Sequence, residues 1–226
     1  ECTVCAILPP GVNPISPDTA VRKASVQHLV SCIETTSALG AKLLGGPLYA
    51  PIGYLPDHRP TKDEWSWAVE AFQSVCEVLD SCNVTLSIEP VNRSETFFVR
   101  TAREASSLCE AIGHPRFGVT IDTFHANIEE RDIAAAMTSI GPQLKHVHAS
   151  ENDRGPLGNG HVDFRGIITA LKRIGYNGYL MIEGFGYSPQ EQNGPAALWA
   201  NTSVSPEAIA ATGARFLNQI LNEAGS

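Results

Sequence analysis

The chain has 226 residues, of which 43% are hydrophobic and 18% charged, and its formal net charge is −8. This length suits one large domain or two small ones. We find no apolar run long enough to span a membrane and no signal-peptide pattern. The acidic balance argues against a nucleic-acid partner, because phosphate binding needs a basic surface, and it favours a small neutral or metal-bound ligand.

Strand-like and helix-like segments alternate from one end of the chain to the other. Strands are predicted over 3–8, 41–46, 84–89, 117–122, 144–149 and 179–184. Helices are predicted to follow them, over about 16–40, 61–81, 101–113, 129–140, 164–174 and 205–222. Two of these helices begin with a capping box, formed by Thr61 with Glu64 and by Thr101 with Glu104. This alternation predicts a parallel sheet with helices outside it.

The strand patterns favour a barrel over an open sheet. In the segments 84–89, 117–122 and 179–184, one face is steadily apolar while the other is small or polar and ends in an acid. A doubly wound sheet would bury both faces of each strand, whereas the inside of a barrel can collect polar groups at the carboxyl ends. We therefore expect an α/β fold, a barrel of parallel strands with helices outside, in a single domain, residues 1–226.

Six cysteines are present, and two of them form a C-x-x-C motif, Cys2 and Cys5. This motif occurs in redox and zinc sites. Within a strand, however, positions three apart face opposite ways, so we expect packing rather than chemistry here. A reduced, cytoplasmic protein is the default for such a chain.

Four predicted strands end in side chains that can bind a metal: Glu89, Asp122, His148 and Glu183. Their separations of 33, 26 and 35 residues each match about one strand–helix unit, so a parallel barrel brings all four to the same end. Any one of these acids alone could be a cap or a salt-bridge partner. Four in register favour a cation, because buried unpaired acids are costly. Three carboxylates and one imidazole suit Mn²⁺, Mg²⁺ or Co²⁺.

Further polar residues follow just past these strand ends: Glu95, His125 and Arg154. His146 shares a face with His148, and it either supports the ligand shell or packs.

Two long loops, 45–60 and 184–203, are rich in aromatic and turn residues, and loops of this kind at the carboxyl end of a barrel often cover a ligand. Their aromatic side chains either line a pocket or pack the loops in place; they are Tyr49, Tyr54, Phe185, Tyr187 and Trp199.

Four segments in this order resemble the D-tagatose 3-epimerase / D-psicose (allulose) 3-epimerase family of xylose-isomerase-like TIM barrels: SIEPVNRSET, IDTFHANIEE, HVHASENDRGPLGNGHVDF and MIEG. The resemblance spans nearly all of the chain. It implies that Glu89, Asp122, His148 and Glu183 are metal ligands, usually for Mn²⁺ or Co²⁺. It also implies that Glu89 and Glu183 are the catalytic pair.

By the same resemblance, Glu95, His125 and Arg154 hold the O1 end of a keto-sugar. The reaction implied is a reversible, metal-dependent inversion at C3 of a ketose, of the D-fructose/D-psicose or D-tagatose/D-sorbose type. It passes through a cis-enediolate, with one glutamate removing the C3 proton and the other returning it.

The chain departs from that family in one respect. The resemblance implies an α/β (β/α)8 TIM barrel, but the chain shows about six of its eight strand–helix units. We therefore expect the first two units, on the order of 60 residues, to be missing at the N-terminus. Such a barrel has two exposed edges, which are an aggregation hazard.

Other readings stay open. A related sugar isomerase such as a hydroxypyruvate isomerase, an inosose-type dehydratase, or a non-catalytic sugar-binding remnant would share the barrel. An endonuclease IV-like DNA-repair enzyme would need more metal-binding histidines. The resemblance implies a homo-oligomer, a dimer or a tetramer.

Overall fold

A computed structural model describes residues 1–185 and 204–224. Its strands are β1 (Val4–Cys5), β2 (Leu43–Gly46), β3 (Thr85–Ile88), β4 (Phe117–Asp122), β5 (Leu144–Ala149) and β6 (Leu180–Ile182). Each strand pairs in parallel with the next one along the chain, so the sheet order is β1-β2-β3-β4-β5-β6. An unbroken order of parallel strands is that of a barrel, and the described residues form a six-stranded partial TIM barrel, as predicted.

Helices lie between the strands and cover the outside of the sheet. They are α1 (Thr19–Ala38), α2 (Lys62–Gln73), α3 (Cys76–Cys82), α4 (Ala102–Ile112), α5 (Thr123–Glu129), α6 (Ile133–Ile140), α7 (Phe164–Arg173) and α8 (Pro206–Glu223), with a 3-10 turn at Gly141–Gln143.

The two faces of the sheet differ as the strand patterns predict. Leu86 and Val119 are fully buried in the apolar core, beneath the helices. On the other face, Thr120 Oγ1 donates a hydrogen bond to Ser87 Oγ at 2.8 Å. Small polar side chains thus fill the inside of the partial barrel, and the space toward the carboxyl ends is left for longer groups.

The predicted caps account for where several helices begin and end. The Asp18 side chain accepts from the Ala20 N–H at the start of α1. Both capping boxes are present, one at α2 and one at α4. α4 ends at Gly113, whose φ of 72° places it in the left-handed region where glycine is favoured.

The prediction of one helix over 61–81 was wrong, because the structure has two helices, α2 and α3, separated at Ser74 and Val75. The Ser74 hydroxyl donates to the Glu70 carbonyl at 2.7 Å, in competition with the backbone bond to the same oxygen. The Val75 N–H turns to Phe72 O, three residues back, and Val75 has a non-helical φ of −107° and ψ of 2°. The chain therefore bends here while Val75 stays buried.

The helix predicted near 129–140 was also wrong in its extent. The structure places α6 over Ile133–Ile140 and a separate α5 directly after β4. No loop separates β4 from α5, because Asp122 is both the last residue of β4 and the N-cap of α5. The strand-end acid had a second, local task that the strand pattern alone did not reveal.

Within the described part of the chain, β1 and β6 are the two edge strands of the sheet. β1 is shorter than the predicted 3–8, although Ala6 N–H still donates to Gly45 O. Large apolar side chains near both edges are exposed, including Ile7 and Met181. None of the described helices is both long and apolar enough to cross a bilayer.

Candidate active site

Four side chains converge at the carboxyl end of the sheet and form what we call the four-residue cluster: Glu89, Asp122, His148 and Glu183. Each offers one ligand-capable atom, and these atoms all lie within 4.8 Å of one another. Three of the residues are buried and Glu183 is partly buried. The convergence that the sequence spacing predicted is therefore present.

The parallel register brings the cluster together. Asp122 at the end of β4 is directly paired with His148 in β5. Glu89 and Glu183 each lie one residue past a strand and extend its pairing, since their N–H groups donate to Gly46 O and Ala149 O. Because side chains alternate along a strand, all four point to the inner face.

His148 lies between two carboxylates. Its Nδ1 is 3.1 Å from Glu89 Oε1 and 2.9 Å from Glu183 Oε2. Burial alone would lower the pKa of His148, but hydrogen bonds and charge from these two acids outweigh it and raise the pKa to about 10.

The two oxygens of the Asp122 carboxylate accept hydrogen bonds from different partners. Oδ1 accepts from the Phe124 N–H at the start of α5, and Oδ2 accepts from Arg154 Nη1. Burial raises the pKa of Asp122, an effect that Arg154 opposes and Glu183 and Glu89 strengthen. At Glu183, burial also favours the protonated form, but His148 and Arg154 outweigh it and hold the pKa below its usual range.

Arg154 is the cationic centre of the site. Its Nη1 also lies 3.0 Å from Glu183 Oε1 and 3.1 Å from Ser150 Oγ. Its guanidinium carbon lies 4.2 Å from the Phe124 ring centroid and 5.2 Å from that of Phe185, both within cation–π range. With 6% exposure the residue is buried, and its long side chain is fixed by partners on several elements.

Asn92 fixes the position of His125 on α5. The Asn92 backbone N–H and side-chain amide reach His125 Nδ1 at 3.2 and 2.9 Å, and the same amide donates to Glu95 Oε1 at 2.8 Å. Burial and the nearby Arg154 lower the pKa of His125 to about 3, so the ring is neutral. Because Nδ1 accepts from a backbone N–H, we assign the ring proton to Nε2, which lies 3.1 Å from Arg154 Nη2.

All seven residues predicted for the site therefore lie in one region: the four-residue cluster, with Arg154 and His125 in contact with it and Glu95 beside His125.

His146 is buried, its ring centroid is 5.0 Å from that of His148, and its Nδ1 has no hydrogen-bond partner among the described residues. This favours packing, the second of the two roles considered for it.

Of the loop aromatics, Tyr49 packs the loop in place, because its hydroxyl lies 2.8 Å from Val99 O and 3.1 Å from Glu89 O. Phe185 lines the site at Arg154. Tyr187 and Trp199 lie outside the described residues.

Sequence reasoning missed several neighbours of the site. The Cys5 thiol donates to Glu89 Oε2 at 3.9 Å, whereas the Cys2 thiol donates to Leu39 O, so the two thiols have different surroundings; Cys2 lies outside β1. Asn92 also orients His125. These partners lie tens of residues away along the chain, and no local pattern signals them.

Comparison with known proteins gives a consistent result. Residues 1–220 match the family model described as the xylose isomerase-like TIM barrel. A probable ketose 3-epimerase of Synechocystis sp. is 32% identical over 219 residues, which cover 97% of this chain and 76% of that protein. An L-ribulose 3-epimerase of Mesorhizobium japonicum is 34% identical over 211 residues, covering 92% of this chain and 71% of the relative. A solved L-ribulose 3-epimerase structure superposes with a TM-score of 0.92 at 32% identity, covering 98% of this chain and 75% of that one.

The chain therefore belongs to the xylose isomerase-like TIM barrel family. The relatives confirm the resemblance to ketose 3-epimerases drawn from the sequence, and such enzymes are isomerases acting on carbohydrates.

Proposed function

We propose that this protein inverts ketoses at C3 with the help of a divalent cation. The observation that carries the proposal is the four-residue cluster, whose ligand-capable atoms lie within 4.8 Å of one another at the carboxyl end of a partial barrel. The names of the relatives supply the substrate class, since they are epimerases of ketoses. The pairs D-fructose/D-psicose and D-tagatose/D-sorbose are the substrates we propose.

The donor atoms suit such a cation. Three carboxylates and one imidazole are brought together in a buried space, where like charges repel unless a positive group lies among them. The negative charge of Glu89 and Glu183 is what raises the pKa of His148. Carboxylate oxygen and imidazole nitrogen favour Mn²⁺, Co²⁺ or Mg²⁺, and we propose Mn²⁺. When bound, the ion would polarise the ketone and make the neighbouring C–H acidic.

Glu89 and Glu183 are the acid and base in this proposal. They extend from β3 and β6 and both reach His148 Nδ1, so they approach one point from different strands. One carboxylate removes the C3 proton, which leaves a cis-enediolate of the sugar, and the other carboxylic acid returns a proton to the opposite face. The roles exchange in the reverse direction.

Arg154 and His125 are the groups that hold a sugar oxygen. With the proton on His125 Nε2, two N–H donors face each other at 3.1 Å and cannot satisfy one another. An oxygen of the substrate placed beside the two nitrogens, at hydrogen-bond distance from each, would accept from both. Glu95, which lies 3.9 Å from His125 Nδ1, is the acceptor that we propose for a hydroxyl of the same end of the sugar.

The test is to incubate the protein with Mn²⁺ and D-fructose in D₂O. We expect D-psicose to form and deuterium to enter at C3. Glu183→Gln and Glu89→Gln should lose this exchange, while Glu64→Gln, which alters a buried glutamate in the α2 capping box, should keep it. Deuterium at C1 with aldose formation would indicate an aldose–ketose isomerase, and no C3 exchange with any ketose tested would refute the proposal.

All six cysteines lie among the described residues and are free thiols, which agrees with the reducing, cytoplasmic environment that we also propose.

We further propose a homo-oligomer, a dimer or a tetramer, which light scattering after size-exclusion chromatography would test.

A further inference from the structure

The β5–α7 loop, residues 150–163, is built around one buried carboxylate. Glu151 is only 1% exposed. Its Oε1 accepts from the Gly158 N–H at 2.9 Å, and its Oε2 accepts from the N–H groups of Asn152 at 3.2 Å and Val162 at 3.4 Å. A carboxylate that receives backbone donors one, seven and eleven residues away ties the start, the middle and the end of the loop to one point.

The loop closes tightly around this carboxylate. A Cβ atom at Gly160 would lie 2.2 Å from Glu151 Oε2 and 2.1 Å from Asn152 Oδ1. Only glycine leaves room there, so the position of the carboxylate and the path of the loop depend on each other.

Arg154 is the residue whose position this arrangement decides. Its N–H donates to the Glu151 carbonyl at 3.0 Å, and its own carbonyl accepts from Phe185 N–H at 2.9 Å. Its φ is +61°, in the left-handed region that costs a non-glycine residue free energy. A strained backbone persists only where its surroundings hold it, and the hydrogen bonds of the Glu151 side chain hold the loop on both sides of Arg154.

We propose that Glu151 is a positioning residue for ketose binding: it holds the β5–α7 loop so that Arg154 reaches the four-residue cluster and His125. The proposal rests on the proposed function, because Arg154 is there the group that binds a sugar oxygen. The hydrogen bonds of the Glu151 side chain go to backbone N–H groups of the loop, and it acts through Arg154.

The substitution that separates charge from shape is Glu151→Gln. Its amide keeps the volume, but its NH₂ group meets a backbone N–H donor where Glu151 presented an oxygen, so at least one tie is lost. With the loop released, Arg154 no longer holds a sugar oxygen, and we expect the ketose KM to rise roughly tenfold, about the loss of one charged hydrogen bond, with a smaller change in kcat. Glu151→Asp, which keeps the charge on a shorter side chain, is the second variant if the first folds poorly.

The affinity for Mn²⁺ should change in the opposite direction to the affinity for the ketose. Arg154 pairs with Asp122 and Glu183 and therefore competes with a cation for them. Its release should tighten Mn²⁺ binding, measured by calorimetry, by roughly threefold or more. General damage to the fold would loosen both ligands, so a weaker ketose together with a tighter metal identifies displacement of Arg154.

A double-mutant cycle with Arg154→Ala tests whether Glu151 acts through Arg154. In the Arg154→Ala background, Glu151→Gln should change neither KM nor the Mn²⁺ affinity further, whereas equal effects in both backgrounds would overturn the proposal. Glu64→Gln is the matched control and should leave both values unchanged. If no ketose is turned over by the parent protein, the proposed function fails, and the cycle on Mn²⁺ affinity still decides whether Glu151 acts through Arg154.

Discussion

Tyr49 links two segments beside the site through a single hydroxyl, and its removal should be measurable. The side chain is fully buried and its ring packs against Phe98 at 5.9 Å between centroids. The hydroxyl lies between the carbonyls of Val99 and Glu89, at 2.8 and 3.1 Å. Tyr49→Phe keeps the ring and leaves these two carbonyls without that donor.

The expected cost is about 1–2 kcal/mol of unfolding free energy, since a net hydrogen bond contributes about 1 kcal/mol and the buried Glu89 carbonyl loses a donor, whereas Val99 O keeps the Val91 N–H. For a chain of this length that corresponds to a fall in Tm of about 3–6 °C. Urea denaturation should show a lower midpoint with an unchanged m-value. Tyr54→Phe is the control, because Tyr54 is only partly buried and packs edge-on against Phe97, and it should cost less than about 0.5 kcal/mol. If Tyr49→Phe is as stable as Tyr54→Phe, the hydroxyl does not tie these segments together.

Three further predictions concern the cation, the site histidine and a helix cap. Mn²⁺ at about 100 times its Kd should raise the unfolding free energy by about 2.7 kcal/mol; Asp122→Asn should lose this gain in denaturation curves, and an equal gain in both proteins would contradict the ligand assignment. In chelator-treated protein the folded-state pKa of His148 is raised from 6.5 to about 10, so the stability it contributes is fully present below pH 6.5 and is lost as the pH rises toward 10. The stability difference between the parent and His148→Gln should therefore shrink from pH 7 to pH 10, and a growing difference would reverse the sign we derive. Thr101→Ala removes the acceptor for the Glu104 N–H and should cost about 1 kcal/mol, whereas Thr101→Ser should be close to the parent by thermal denaturation.

The sequence was sufficient for the parts of the fold that follow local rules. The alternation of strands with helices predicted the parallel sheet, and the alternating faces of the strands predicted acids at its carboxyl edge, because both patterns are visible in consecutive residues. The caps at Thr61 and Thr101 predicted helix starts for the same reason. That residues 1–226 form one domain, and that two strand–helix units are absent relative to the family, stay predictions.

What could not be predicted depends on contacts between distant residues. Asn92 and His125 are 33 positions apart, and nothing near either of them indicates that one fixes the tautomer of the other. The ties from Glu151 to Gly158 and Val162 appear only once the loop is folded. At Ser74 the difficulty was energetic, since a helix pattern continued through a point where a hydroxyl and a β-branched neighbour favoured a bend.

The divided carboxylate of Asp122 places one residue under two requirements that no substitution meets together. Asparagine could still start α5 through its side-chain oxygen but would carry no charge to Arg154 or to an ion. Glutamate would keep the charge but carry it one methylene further from the backbone and give up the short reach to Phe124 N–H. Because α5 also carries His125, a change at this position would shift the proposed sugar contact along with the proposed metal contact, so both contacts depend on this one side chain.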